Sequence, residues 1–216
     1  MMLKNVLLFS LVFFLFSCGN PEEEIKATFI SIQNYQEATS LVEMLDEGSV
    51  NYFSEMGRVA ASRVKPDIRN YCNASLYPLS TRYMVQVLEM MGPSDSTSII
   101  ELEDVLAIAA LADFGPIGVD NRKRYKFHKL ERANDRMATA IINYKVNPNA
   151  HTYVQSKVQF SKREGEDWKM NFQETLSFFE KYLTRLQRES AAMSDEDFIQ
   201  NFIINGGKEI QFKYRQ

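Results

Sequence analysis

Side chains that could carry catalysis or bind a metal are sparse in this chain. It has 216 residues, with 2 histidines and 2 cysteines. His128 stands between Phe127 and Lys129 on a half-polar segment, where an exposed histidine on a sheet edge is a simpler interpretation than a catalytic base. His151 follows the turn-forming residues 147–150 and is expected in solvent. Because the two histidines fall on different predicted strands, they lack the spacing of metal ligands. The sequence therefore predicts no metal site and no cofactor.

Motifs for nucleophilic catalysis and phosphate binding are also missing from the sequence. A catalytic Ser or Cys needs a nearby base and an orienting group, and the chain contains neither Gly-x-Ser-x-Gly nor Gly-x-x-x-x-Gly-Lys. Cys72 is interpreted as a small buried hydrophobe and not as a reactive thiol. No catalytic residue is assigned from motifs.

One segment concentrates positive charge. Residues 121–129 read Asn-Arg-Lys-Arg-Tyr-Lys-Phe-His-Lys, so aromatic rings alternate with cations. Such a run could bind an anionic polymer, for example a polysaccharide, or lipid headgroups. The plainer interpretation is an edge strand that its Lys and Arg side chains protect against pairing with other chains.

Cys18 closes an apolar segment near the start of the chain. Lys4 precedes the almost unbroken apolar run 6–16, which is typical of a secretory signal and too short to span a bilayer. The residues Leu15-Phe16-Ser17-Cys18 resemble the lipobox of bacterial lipoproteins. That resemblance implies that the Cys18 thiol receives a diacylglycerol and that cleavage precedes Cys18. The alternatives are an ordinary signal peptide with an accidental cysteine, or an uncleaved anchor.

This interpretation divides the chain into three parts. Residues 1–17 are the expected signal peptide, 18–30 the lipidated cysteine with an acidic tether, and 31–216 a single α+β domain. The glutamates at 22–24 resemble the export signal that sends lipoproteins of Bacteroidetes-type bacteria to the outer face of the outer membrane. The alternative is a solvated spacer that keeps the domain away from anionic headgroups. The expected location is the bacterial cell envelope, at the periplasmic or surface face of the outer membrane.

Charge and composition narrow the class of partner. The chain carries 25 Lys+Arg and 28 Asp+Glu, a net charge of -3, and 45% of its residues are hydrophobic. This is the balance of a globular protein. Because basic residues are not in excess, the electrostatic case for nucleic acid is absent. The expected partners are the membrane, through the anchor on Cys18, and an envelope protein or a small ligand.

Hydrophobic spacing predicts helices first and strands afterwards. The fold class is therefore α+β, with N-terminal helices packed on a curved antiparallel sheet and C-terminal helices after it. The expected elements are, in chain order, a strand or tether over 25–32, a helix from about 34 to Gly48, a helix within 50–64, an irregular stretch between Pro66 and Pro78, a helix capped by Ser80, a helix opened by a Ser98–Glu101 capping box, an antiparallel meander from Lys123 to Phe172, two helices and a final strand over 210–214.

This order resembles the nuclear-transport-factor-like α+β cone fold, in which an N-terminal helix packs in the mouth of a bent sheet. The resemblance covers about residues 25–172 and includes Trp168-Lys169-Met170, similar to a run in late strands of that group. It departs in the extra helices between 80 and 114 and in the helical C-terminus. Some members are enzymes that use an Asp or His base with a Tyr electrophile. The resemblance implies, as candidates for those roles, His128, Asp113, Tyr125 and Tyr144.

Two functions follow from these observations. The favoured hypothesis is a non-catalytic cell-envelope lipoprotein whose domain binds a partner protein or a small ligand. The alternative is a small-molecule enzyme with an aromatic-lined pocket. A cavity that brings the candidate side chains together would favour the enzyme, whereas an interior filled by Phe and Leu would favour binding.

Overall fold

The computed structural model of the chain describes residues 20–92, 99–120, 122–145, 153–190 and 193–204. These residues form helices, then an antiparallel sheet, then further helices, which confirms the predicted α+β class. The first group of helices is α1 Pro21–Asn34, α2 Ser40–Met44, α3 Glu47–Ser62, α4 Lys65–Ala74, α5 Pro78–Met91 and α6 Leu102–Leu111. The strands are β1 Tyr125–Ala133, β2 Met137–Tyr144, β3 Val154–Ser161 and β4 Lys169–Asn171. The last helices are α7 Phe172–Thr175, α8 Ser177–Glu189 and α9 Asp195–Ile204.

The sheet is a simple meander in the order β1-β2-β3-β4, with every neighbouring pair antiparallel. Its inner face carries Ala140, Ile142, Val158 and Phe160, all nearly inaccessible to solvent. The residues between them along β2 and β3 point to the opposite face, because side chains alternate along a strand. This is the half-buried meander that the alternation in the sequence predicts.

Two bulges in strand β1 determine which of its side chains face the core and which face solvent. Its pairing with β2 shifts register once between Phe127 and Lys129 and again between Leu130 and Arg132. Each bulge inserts one extra residue, so side chains three apart in the sequence return to the same face. The residues that pair with inward positions of β2 are Tyr125, Phe127, Leu130 and Ala133, and those that pair with outward positions are Lys126, Lys129 and Arg132.

Helix α1 packs on the inner face of the sheet. Ile25, Phe29 and Ile32 are buried, and the Phe29 ring lies 6.1 Å from that of Phe127. The expectation of a strand or tether over 25–32 is wrong, because apolar residues spaced by three or four need a helix to share one face. The described part of the segment expected to be a tether is therefore helical from Pro21 onward.

The start of α1 is well specified by local chemistry. The Asn20 side chain accepts a hydrogen bond from the Glu22 backbone N–H, and Pro21 occupies the first turn. Proline is favoured there because its missing N–H would have no partner in the helix. The glutamates at 22–24 occupy the first turn, where negative charge stabilises the helix dipole.

The helix expected from residue 34 to Gly48 is replaced by a shorter arrangement. Between the end of α1 and the start of α3 the only helix is the short α2, and Leu45 forms a parallel bridge with Met170 of β4. Asp46 then caps α3 by accepting from the Ser49 backbone N–H at 2.9 Å and from its hydroxyl at 2.6 Å. Gly48 consequently lies inside the first turn of α3 and does not end a helix.

The stretch between Pro66 and Pro78, expected to be irregular, contains α4. Pro66 lies in the first turn of that helix, where it starts a helix as well as it would end one. Helix α5 begins at Pro78, so Ser80 lies in its first turn and is not its cap. Helix α6 begins at Leu102, directly after Glu101. The remaining expectations, for Ser98, the turn 147–150 and the strand 210–214, lie outside the described residues.

Aromatic rings fill the space between the helices. Phe53 of α3 lies 5.0 Å from Phe172 and 6.3 Å from Phe114, and Phe114 lies 5.4 Å from Phe179 of α8. Tyr83 of α5 contacts the same group from a further side. These rings join the first helices to α7 and α8. Among the described helices, none has both the length and the apolar character needed to cross a bilayer.

Candidate functional site

The outer face of the sheet presents a cluster of cations. Lys126, Lys129 and Arg132 of β1 are exposed and share this face because of the two bulges. Lys157 of β3 joins them, since Lys129 and Lys157 both pair with Ile141 of the strand between them. We call these four residues the basic face.

Polar side chains occupy the outward positions around the basic face. Ile141, at its centre, is only 7% exposed, although it lies on the face opposite the core. Long Lys stems beside it can cover its apolar surface while their charged ends remain in water. The other outward positions of β2 and β3 next to these cations are held by hydroxyl and amide side chains, namely Thr139, Asn143, Gln155 and Gln159.

Negative charge near the basic face comes from Glu131. This residue lies at the second bulge of β1, and its carboxylate is 2.6 Å from the Lys157 ammonium group. Within the described residues, no ion pair is found for Lys126, Lys129 or Arg132. The face therefore carries a net positive charge, although the chain as a whole is negative.

Within the described residues, the basic run of the sequence lies along an edge of the sheet, as predicted. Strand β1 is the first strand of the described sheet, and its bulges and cations both discourage pairing with another chain. Arg122 of the same run behaves differently, because its Nη1 donates to the Tyr35 carbonyl at 2.8 Å. Its guanidinium stacks 4.1 Å from the Tyr35 ring, and its Nε is buried without a partner among the described residues. Charge alone could not distinguish this inward arginine from its exposed neighbours.

The candidate acid–base residues are only partly brought together. His128 is exposed at the first bulge of β1. Tyr125 is buried on the inner face, where its ring lies 4.7 Å from that of Tyr144. Burial strongly raises the pKa of Tyr125, and electrostatic interaction with the Tyr144 hydroxyl contributes to that rise. Tyr125 is therefore held as a neutral phenol in the core, whereas His128 faces solvent.

Asp113 has a structural task in the loop after α6. Its backbone is left-handed, with φ at 54°, and its Oδ1 accepts a hydrogen bond from the Asp120 backbone N–H at 2.8 Å. The loop also requires Gly118, because a Cβ there would lie 2.4 Å from the Asp113 Cα. The carboxylate thus closes a tight turn.

The charge of Asp113 raises the pKa of three buried tyrosines. Burial is the main cause of the raised pKa of Tyr35 and of the raised pKa of Tyr83, which reaches about 12. The Asp113 charge contributes to the rise in each tyrosine. It contributes in the same direction to Tyr125. The hydroxyls of Tyr35 and Tyr83 donate to backbone carbonyls at 2.7 and 3.0 Å. These groups are occupied in holding the loop to the helices.

A groove of about 520 Å³ opens at the helical end of the molecule. Its lining mixes cations, acids, amides and apolar side chains, and Lys65 and Glu89 form an ion pair of 3.2 Å across it. His128, Asp113, Tyr125 and Tyr144 do not line it. The lining residues come from α4, α5, α9 and the C-cap of α3, which is why no local pattern in the sequence revealed the groove: Arg63, Lys65, Gln86, Glu89, Met90, Glu196, Gln200 and Ile203.

The remaining sequence candidates are quickly placed. Cys72 is 1% exposed, and burial raises the pKa of its thiol to about 11, which confirms its interpretation as a buried hydrophobe. In the part of the chain that the structure describes, no group of three His, Cys, Asp or Glu side chains could hold a metal ion. Cys18 and His151 lie outside the described residues.

Comparison of the chain with models of protein families, with curated proteins and with solved structures finds no significant match.

Proposed function

We propose that this protein is a cell-envelope lipoprotein, anchored through Cys18 to the bacterial outer membrane, whose folded domain is a non-catalytic binding or interaction module. The observation that carries the proposal is the sequence Leu15-Phe16-Ser17-Cys18 at the end of the apolar run 6–16. A diacylglycerol on this thiol supplies two acyl chains. Two chains hold a protein stably at a bilayer, because each buried CH₂ contributes about 0.8 kcal/mol.

The position of α1 supports the same proposal. The helix begins at Pro21, three residues after Cys18, and its side chains Ile25 and Phe29 are already part of the core. A lipoprotein that starts at Cys18 would therefore lose none of the described domain on cleavage.

The packing of the interior favours binding over catalysis. The space between the helices is occupied by the rings of Phe53, Phe114 and Phe172. The candidate base Asp113 accepts a backbone hydrogen bond, and His128 lies on the surface. In the part of the chain that the structure describes, the groove and the basic face offer polar groups to a partner.

The anchor is tested by exchanging each cysteine in turn. After cell lysis, the Cys18→Ser protein should either appear in the soluble fraction or retain an uncleaved signal peptide, because no thiol remains to be acylated. Cys72→Ser is the matched control and should stay with the membrane. A Cys18→Ser protein that still sediments with the envelope in processed form would contradict the proposal.

The face of the outer membrane on which the domain lies is open to a separate test. Treatment of whole cells with protease clips a surface-exposed domain and spares a periplasmic one. If the acidic residues at 22–24 act as an export signal, their replacement by glutamine should turn a protease-sensitive protein into a protected one while acylation continues.

A further inference from the structure

We infer that the basic face binds a chain of acidic polysaccharide. The inference rests on the binding part of the proposed function, and only the exclusion of a bilayer as the occupant uses the anchor. It is carried by the juxtaposition of Lys126, Lys129 and Arg132 on one side of a bulged edge strand, with Lys157 beside them.

The cations form a regular row. Lys126, Lys129 and Arg132 pair with Asn143, Ile141 and Thr139, which are alternate residues of β2. Alternate residues of a strand are about 7 Å apart, so the row presents three positive groups along about 14 Å. An edge strand needs bulges and charge to avoid pairing, but edge protection does not require its cations to share one face. A linear polyanion does require this.

The side chains around the row match a sugar polymer better than a protein surface. Protein interfaces have an apolar centre, whereas the central Ile141 of this face is covered. The neighbouring outward positions Asn143 and Gln155 offer amide groups, and the Thr139 hydroxyl, which donates to Gln159 at 3.0 Å, can still accept. Such groups donate to and accept from sugar hydroxyls, while the cations pair with the carboxylates of the polymer.

The charge around α1 disfavours an anionic bilayer as the occupant. If Cys18 is acylated, the residues between it and Pro21 can span at most about 10 Å. The part of the domain held nearest the bilayer then includes the glutamates at 22–24 in the first turn of α1. Of these, Glu24 pairs with Lys162 at 3.1 Å. Like charge repels anionic headgroups there, so the basic face is left available to a ligand that approaches from solution.

The test measures binding of the full-length, detergent-solubilised protein to immobilised polygalacturonate, with neutral dextran as the second surface. The face variant is K126Q/K129Q/R132Q. Its matched control is R69Q/K181Q/R188Q, which removes the same charge from exposed residues on helices. We expect the wild type to bind polygalacturonate and not dextran. The face variant should bind about tenfold more weakly and the control within about twofold, since each exposed charge contributes modestly.

Two further measurements keep the test decisive. K129Q alone should weaken binding about two- to threefold, which covers the case in which the triple variant is poorly folded. Vesicles of phosphatidylcholine with and without phosphatidylglycerol report any headgroup preference, since the lipid anchor contributes equally to both. The inference is overturned by no binding to polygalacturonate, by equal loss in the face and control variants, or by binding confined to phosphatidylglycerol vesicles. Intact mass of the same sample reports acylation separately, so failure here is distinct from failure of the anchor.

Discussion

At the scale of single residues, buried hydroxyls and helix ends find partners from distant parts of the chain. The carboxylate of Glu180 in α8 accepts from the Leu79 N–H at 3.2 Å, and from the Ser80 N–H and hydroxyl at 2.8 and 2.7 Å. It thereby caps the first turn of α5, whose backbone donors have no partner within the helix. A negative charge at that end also interacts favourably with the helix dipole.

Loss of this cap should be costly. We predict that Glu180→Ala lowers the free energy of unfolding by about 2 kcal/mol, because hydrogen bonds to a charged group are lost and a buried donor is left unpaired. Urea denaturation measures the change. Glu189→Ala, at the other end of the same helix with only a 3.8 Å contact to Arg185, is the control and should cost less than about 0.5 kcal/mol. Similar losses in the two variants would show that Glu180 is not a cap.

Cys72 should make stability depend on alkaline pH. Burial raises the pKa of its thiol from 9.0 to about 11, so the folded state holds the proton more tightly than the unfolded state. The contribution is fully present below pH 9.0 and is lost as the pH rises towards 11. Urea midpoints should therefore fall over this range, and Cys72→Ala should fall less steeply. Parallel curves for the two proteins would contradict the raised pKa.

At the scale of elements, strand β1 shows how two local irregularities decide which side chains face water. Removing the first bulge should leave the same side chains facing water. His128 is the extra residue there, and its neighbours Phe127 and Lys129 already pair with consecutive residues of β2. Removing a residue outside the bulge would turn the strand over.

Two single-residue deletions test this. We predict that deletion of His128 changes the free energy of unfolding by no more than about 1 kcal/mol. Deletion of Lys126 should cost about 2 kcal/mol or more, because Phe127 then leaves the inner face and its contact with Phe29. Chemical denaturation of both variants provides the comparison. The description of the bulge would be wrong if deletion of His128 were the more damaging change.

The sequence predicted the alternation of the strands and the helices with long apolar stripes, because periodicity reports which face is buried. The expectation of a strand or tether over 25–32 was wrong because this short segment also alternates loosely, whereas the spacing of Ile25, Phe29 and Ile32 is helical. The expectation of an irregular stretch over α4 was wrong because proline ends a helix or begins one depending on its neighbours. In both segments the local pattern has two interpretations, and the packing of the helix selects between them.

At the scale of the whole molecule, the ring cluster joins the helices before the sheet to the helices after it. Phe114 follows α6, Phe172 opens α7 and Phe53 belongs to α3, yet their rings meet within 6.3 Å or less. Such contacts between distant segments carry no local signal in the sequence. The same holds for the groove, whose lining comes from α4, α5, α9 and the C-cap of α3, and for the sharing of one face by the cations of β1. The basic run and its edge position were predictable, because Lys and Arg side chains that alternate with aromatic residues along one segment are visible in the local sequence.

The proposed location and anchoring of the protein depend on the fate of Cys18. Mass spectrometry of the protein purified from the envelope of its own cells tests this most directly. The proposal predicts a mature chain that begins at Cys18, carries a diacylglycerol on the thiol, and yields no peptide from residues 1–17. An intact amino terminus at Met1, or a Cys18 that is present without lipid, would contradict it.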